Sequence, residues 1–201
     1  MLIIAALLSL LVASPPAAQA PEKQHNQLAR EILRELIEIN TTEAAGTTKA
    51  AEAMAARLRA AGFESTDLRV LGPNERKKNL VARLHGSGAR RPLLLLAHLD
   101  VVEARREDWS VDPFVFTERD GHYYGRGTTD DKGQAAIWIA NLIRYKQEGF
   151  VPDPDVIVAL TADEEGGPDN GVQWLLANHR DLIDADYCLN EGGGGQIIKG
   201  R

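Results

Sequence analysis

Residues 93 to 102 read LLLLAHLDVV, an apolar run broken only by His98 and Asp100. Residues i and i+2 of an extended segment face the same side, so this carboxylate can lie beside the imidazole. The pattern recurs: VIVALTADEE ends in Asp163, Glu164 and Glu165, and DYCLNE ends in Glu191. A further pair, Asp130 and Asp131, opens a helix after the glycine-rich GRGTTDDKG. In sheets built from such strands, ligands bind at the carboxyl ends. One acidic strand end is an ordinary solvated loop. Three of them and a helix start, sharing one edge, would gather a histidine and a ring of carboxylates around one cleft.

Clustered carboxylates repel, and burying them without a counter-charge is costly. A multivalent cation removes that cost. Histidine with aspartate and glutamate, and no thiolate, suits Zn²⁺ or a similar first-row metal, and several acids suit two ions bridged by a carboxylate. His98 is expected to bind through one ring nitrogen while Asp100 accepts from the other and fixes the tautomer. Glu164 and Glu165 are adjacent past a strand end, so one can bind metal while the other moves protons. A metal-activated water has a pKa near about 7. A glutamate that takes its proton and passes it to a leaving amine contributes about 10²- to 10⁴-fold. That is the chemistry of amide hydrolysis; a two-metal phosphoesterase is a weaker use of the same ions. The chain has no GxSxG elbow, no HExxH and no phosphate-binding GxxxxGK[ST] or GxGxxG, which disfavours the serine, thermolysin-like and nucleotide-binding alternatives.

The elements that must position these groups are legible in the apolar periodicity. Leu28, Ile32, Leu36 and Ile39 recur at helical spacing, and a second helix is expected over Thr47 to Ala61, stopped by Gly62. Strands are expected at 67–71, 79–84, 92–97, 114–117 and 122–124, followed by a helix over 132–148, a strand at 156–160, a helix at 172–177 and a last strand at 187–189. The run at 92–97 is apolar on both faces, as a strand covered on two sides should be. Alternating strands and helices predict an α/β three-layer sandwich with a largely parallel, mixed sheet.

A chain of 201 residues suits one domain. With 44% hydrophobic and 26% charged residues it falls in the globular range. A net charge of -6 argues against non-specific nucleic-acid binding, which needs a basic face. The single cysteine, Cys188, excludes an internal disulfide or CxxC site and is expected as a small buried residue. Residues 1–20, MLIIAALLSLLVASPPAAQA, resemble a secretory signal with Ala18-Gln19-Ala20 as the cleavage site, so residues 21–201 are expected to form the folded domain. A stable membrane span is not expected, because the apolar run is shorter than the roughly 20 residues that one needs. A secreted or periplasmic protein follows from that leader; a cytoplasmic one follows if it is not used.

Five motifs, in order, carry a resemblance: AHLDVV at 97–102, WSVDPF at 109–114, GRGTTDDKG at 125–133, TADEEGG at 161–167 and NEGGGG at 190–195. They resemble the dinuclear-zinc exopeptidases and deacylases that include carboxypeptidase G, acetylornithine deacetylase, succinyl-diaminopimelate desuccinylase, aminoacylase and carnosinase-like dipeptidases. The resemblance implies two zinc ions, with cobalt or manganese able to use the same ligands, and a small peptide or N-acyl amino acid substrate. It implies that Asp130 bridges the ions, that His98 and Glu191 complete one site, and that Glu165 belongs to the other. It makes Glu164 the general base and Asp100 the support of His98, and places Asp131 after Asp130 across a peptide bond that is often cis. Such proteins continue past the NEGGGG-like ligand through a ferredoxin-like lid, which often dimerises, and back to the catalytic domain with a last histidine ligand. His25, His85, His122 and His179 do not occupy that position. The chain therefore reads as an incomplete, N-terminal part of the catalytic domain with the lid absent, and a homodimer is expected only where the lid is present. The alternative is a truncated, non-catalytic metal-binding remnant.

Overall fold

The computed structural model describes residues 21–192. The leader expected over residues 1–20 lies outside them, as do Gly193 to Gly195 of the last motif.

Helix α1 (Pro21–Glu38) buries Ile32, Leu36 and Ile37, and α2 (Thr48–Ala60) lays Ala51, Met54, Ala55 and Leu58 on the same core. Strands β1 (Leu68–Leu71) and β2 (Asn79–Leu84) follow, joined by a short connection without a helix, and pair antiparallel. Strand β3 (Arg90–His98) is the long apolar run. Strands β4 (Thr117–Arg119) and β5 (His122–Tyr124) form a separate hairpin. Its two-residue turn, Asp120-Gly121, has positive φ at both positions, the conformation a tight hairpin of right-handed twist requires. The first of these strands lies later than the expected 114–117 because the hairpin pairing, Thr117 with Tyr124, is set by that turn.

Helix α3 (Lys132–Gln147) then crosses back to β6 (Pro154–Thr161), and α4 (Gly171–Asn178) and α5 (Arg180–Ile183) lead to β7 (Tyr187–Leu189). The five-stranded sheet has the order β1-β2-β6-β3-β7. It is mixed: β6 with β3 and β3 with β7 are parallel, while β1 with β2 and β2 with β6 are antiparallel. The parallel half is the half whose strands all end at one edge.

Alternate residues of the central strands serve two cores. Leu80, Ala82, Leu95, Ala97, Val158 and Leu160 face α1, α2 and α3, whereas Val81, Leu94, Ile157 and Ala159 face Leu175 of α4 and Ile183 of α5. Sheet between two helical layers is the three-layer sandwich that apolar residues on both strand faces predict. The expected burial of Cys188 does not hold: it is exposed. It sits on β7, the edge strand, where Tyr187 is 75% and Leu189 50% exposed. An apolar run signals a covered strand only when neighbours lie on both sides, and among the described residues β7 has one. Among the described residues no helix is long and apolar enough to cross a membrane.

Candidate metal centre

Three chain segments reach the carboxyl edge of the parallel strands at the same level. His98 closes β3 in register with Thr161, the last residue of β6, and Leu95 pairs with Leu189 of β7. Asp163 to Glu165 and Glu191 therefore emerge beside His98, each two or more residues past its strand. The chain leaving β3 is held extended along β6, since Leu99 N–H donates to Thr161 O at 2.8 Å and Thr41 Oγ1 donates to Leu99 O at 2.7 Å. Asp130 and Asp131 arrive from the fourth side, at the start of the crossover helix α3, joined by a cis peptide bond.

His98 is buried, and Nε2 lies 2.8 Å from Asp130 Oδ1, 3.8 Å from Glu164 Oε2 and 3.8 Å from Glu191 Oε2. One candidate ligand atom from each of His98, Asp130 and Glu191 lies within 4.8 Å of the other two. The other ring nitrogen, Nδ1, faces the backbone carbonyl of Asp100 at 3.0 Å. The carboxylate of Asp100 stands 3.6 Å away, beyond hydrogen-bond range. It is engaged elsewhere: its two oxygens accept the backbone N–H groups of Glu164 at 3.1 Å and Glu165 at 3.0 Å. The tautomer-fixing acceptor expected from the Asp100 side chain is thus its main chain, and the side chain ties the β3 exit to the turn after β6. Asp131 points back into the fold and accepts the backbone N–H of His98 at 3.3 Å.

The electrostatics show what this arrangement lacks. Both ring nitrogens of His98 face oxygen acceptors, which only a doubly protonated ring can satisfy. Burial disfavours that charge, but Asp100, Asp130 and Asp131 overcome it and push the His98 pKa up to about 10. Burial, reinforced by Glu191 and Asp130, pushes Asp131 up to about 6. Glu165 and Glu191 are raised as well, first by burial and then by neighbouring carboxylates, Asp130 among them. Asp100 goes the other way: burial resists, but His98 and the two backbone N–H groups hold it below its ordinary range. The carboxylates that are raised share a burial with other acids and only one imidazole, and the donors that meet there are one nitrogen and several oxygens. That donor set fits a divalent first-row ion. Glu165 lies outside the three-residue set but near enough to Asp130 to feel its charge, and it lines an acidic pocket with Glu43, Asp100, Glu103 and Asp163.

Two residues of this region were not anticipated. Lys132 is completely buried and donates from Nζ to Leu36 O at 2.8 Å and Ile39 O at 2.9 Å, stitching the end of α1 to the start of α3. A lysine in the first turn of a helix opposes the helix dipole, and that misplacement is the signal that something else holds it. Lys77 is also buried, against Asp163. It stands in the run ERKK, which in a sequence looks like solvated surface.

The sequence pattern of peptidase family M20/M25/M40 matches residues 94–199. A succinyl-diaminopimelate desuccinylase of Delftia acidovorans is 40% identical over 122 residues, which are 59% of this chain and 32% of that protein. The chain spans about a third of the length of the curated relatives it matches. Among solved structures, an M20 family metallo-carboxypeptidase from Sulfolobus solfataricus superposes with a TM-score of 0.69 at 19% identity, covering 83% of this chain and 37% of that one. Human carnosine dipeptidase 1 superposes with a TM-score of 0.67 at 22% identity, covering 88% and 41%. These structures share the fold; the matched residues, which run from β3 to beyond Glu191 and include His98, Asp130, Glu164 and Glu165, show that the chain belongs to peptidase family M20/M25/M40.

Proposed function

We propose that this chain supplies the metal-binding part of a hydrolase that cleaves the amide bond of a small peptide or an N-acyl amino acid. The observation that carries the reading is the convergence of His98, Asp130 and Glu191 on one point with the Glu164 carboxylate 3.8 Å from the same imidazole nitrogen. The names of the similar proteins, a desuccinylase, a metallo-carboxypeptidase and a dipeptidase, agree on C–N bond cleavage.

His98, Asp130 and Glu191 would hold one ion, and Asp130 with Glu165 would hold the second, with zinc as the expected metal and cobalt or manganese compatible with the same donors. When bound, such ions polarise a carbonyl and lower the pKa of water. Glu164 is the group placed to move protons: it takes one from the attacking water and delivers it to the leaving amine nitrogen as the C–N bond breaks. Its carboxylate is free for that task because Asp100 holds only its main chain. Asp100 and Asp131 keep His98 and the Glu164–Glu165 turn in place. The leader-like residues 1–20 support export, which N-terminal sequencing of the native protein would check: a mature chain still starting at Met1 would remove it.

The test is Glu164→Gln. It keeps the shape and the Asp100 hydrogen bond, so zinc uptake should be unchanged while hydrolysis of dipeptides and N-succinyl or N-acetyl amino acids falls by about 10²- to 10⁴-fold. Undiminished turnover would refute the role of Glu164. Zinc uptake without turnover in the unaltered chain would favour a metal-binding remnant.

A further inference from the structure

Asp163 precedes the two glutamates assigned to proton transfer and metal binding, yet unlike theirs its own side chain is buried and paired with a lysine. Its side chain is 1% exposed and pairs with Lys77 Nζ, whose side chain is also 1% exposed. An ion pair this deeply buried is weak evidence for net stability, since apolar residues of similar volume often serve as well. What it does provide is a fixed position.

The pair sits where two loops meet. Asp163 has φ 54, the left-handed conformation, at the point where the chain turns out of β6. Asp163 Oδ2 accepts the backbone N–H of Asp169 at 3.2 Å, and Asp163 O accepts Asn170 Nδ2 at 3.1 Å, so one residue closes the whole 163–170 turn on itself. Lys77 comes from the β1–β2 connection, where Asn74 Oδ1 accepts its backbone N–H at 3.1 Å. Asn74 Nδ2 also donates to Asp169 Oδ2 at 2.7 Å, a second tie between the same two loops. Gly167 completes the fit: a Cβ there would stand 2.0 Å from Asp163 Oδ2. Glu164 and Glu165 are thereby held from both sides, by the carboxylate of Asp100 on their N–H groups and by the Lys77–Asp163 pair behind them.

We infer that Lys77 is a positioning residue: its buried pairing with Asp163 fixes the Glu164–Glu165 turn against the metal centre. This rests on the roles proposed above for those glutamates, but the anchor itself can be tested without metal or turnover. In metal-free protein, K77M leaves Asp163 without its counter-charge. Amide hydrogen exchange at Glu164 and Glu165 should rise at least about 10-fold relative to the β6 amides of Val158 and Leu160, because the turn opens locally while the sheet does not. D163N, which keeps the shape and the acceptor for Asp169, should shift the same amides in the same direction by less, and it stands in if K77M fails to fold. Unchanged exchange at the turn, or exchange that rises equally throughout β6, would overturn the inference. Zinc titration of the same variants adds the metal readout: K77M should weaken the Glu165-dependent equivalent by about 10-fold or more and spare the one held by His98, Asp130 and Glu191. Equal weakening of both would count against a positioning role. If the unaltered chain takes up no zinc, the metal reading falls, and the exchange result still decides the anchor.

Discussion

Strand β3 carries charged partners at both ends, and the two ends behave differently. At its start Arg91 reaches Asp184 and Asp186, each at 2.8 Å, with the arginine side chain 59% and both acids 48% exposed. At its finish His98 and Asp100 are 2% and 4% exposed. The residue classes are alike, a cation facing two or more acids. Burial of the strand's own groups separates them: in water the charges at the start are screened and cost little to hold or lose, while at the finish the buried His98 and Asp100 each need a partner. The finish of β3 is where three parallel strands stop together, so the sheet topology, not the local sequence, decides which end becomes a site.

The largest effects should come from the finish of β3. Asp130→Ala removes the acid shared by both proposed ions, and zinc uptake should be lost outright by titration or elemental analysis. Retained zinc with full activity would mean that the bridging role belongs elsewhere. Asp100→Ala should act on the protein itself as well. It leaves the N–H groups of Glu164 and Glu165 without their acceptor and His98 without its nearest buried acid. A loss of about 3 kcal/mol in denaturant unfolding of the metal-free chain is expected; a loss under about 0.5 kcal/mol, the scale of an ordinary surface change, would show that Asp100 is not the tie between β3 and the β6 turn.

His98 sharpens the comparison through pH. Its pKa in the folded, metal-free protein is about 10 against the ordinary 6.5, so the folded state binds the proton more tightly than the unfolded one. Its stabilising contribution is fully present below pH 6.5 and is lost as pH rises through about 10. Other groups titrate in the same window: Lys132, depressed to about 7 chiefly by burial, changes stability in the opposite sense. The measurement is therefore the stability gap between the unaltered chain and His98→Gln, which should be widest near pH 6 and narrow steadily towards pH 10 (the window set by the two pKa values). A gap independent of pH would mean that the imidazole is not held protonated. Zinc uptake at neutral pH should also release that proton, since a metal ligand must be a neutral ring.

Much of the buried end is legible from the chain itself. An apolar run that stops at His98 and Asp100, and others that stop at acids, identify strand ends facing one cleft, because only a terminated strand puts such groups at a sheet edge. The roles within the cleft are less legible. The Asp100 carboxylate turns to the backbone of Glu164 and Glu165, a partner 64 residues away in the chain and so without a local signature. Lys77 escapes for the same reason, since lysine is read as solvated unless its long-range partner is known; Lys132 leaves only the hint of a cation at a helix start. The antiparallel pairing of β1 and β2 follows from a connection too short for a crossover. The exposure of Cys188 does not follow from anything local, because strand order decides it.

The smallest effect belongs to the exposed end. Arg91→Ala breaks two contacts at once, yet all three side chains remain half in water, so unfolding should move by only about 0–1 kcal/mol and less still at high salt. Zinc uptake should not change, since six residues of β3 separate Arg91 from His98. A loss of zinc affinity in this variant would contradict the division between the two ends, because it would require β3 to carry a shift at its start through to the centre. Unaltered zinc uptake beside a small, salt-sensitive stability change would place the control of the site in what is buried at the end of the strand, the Asp100 tie and the partners it holds.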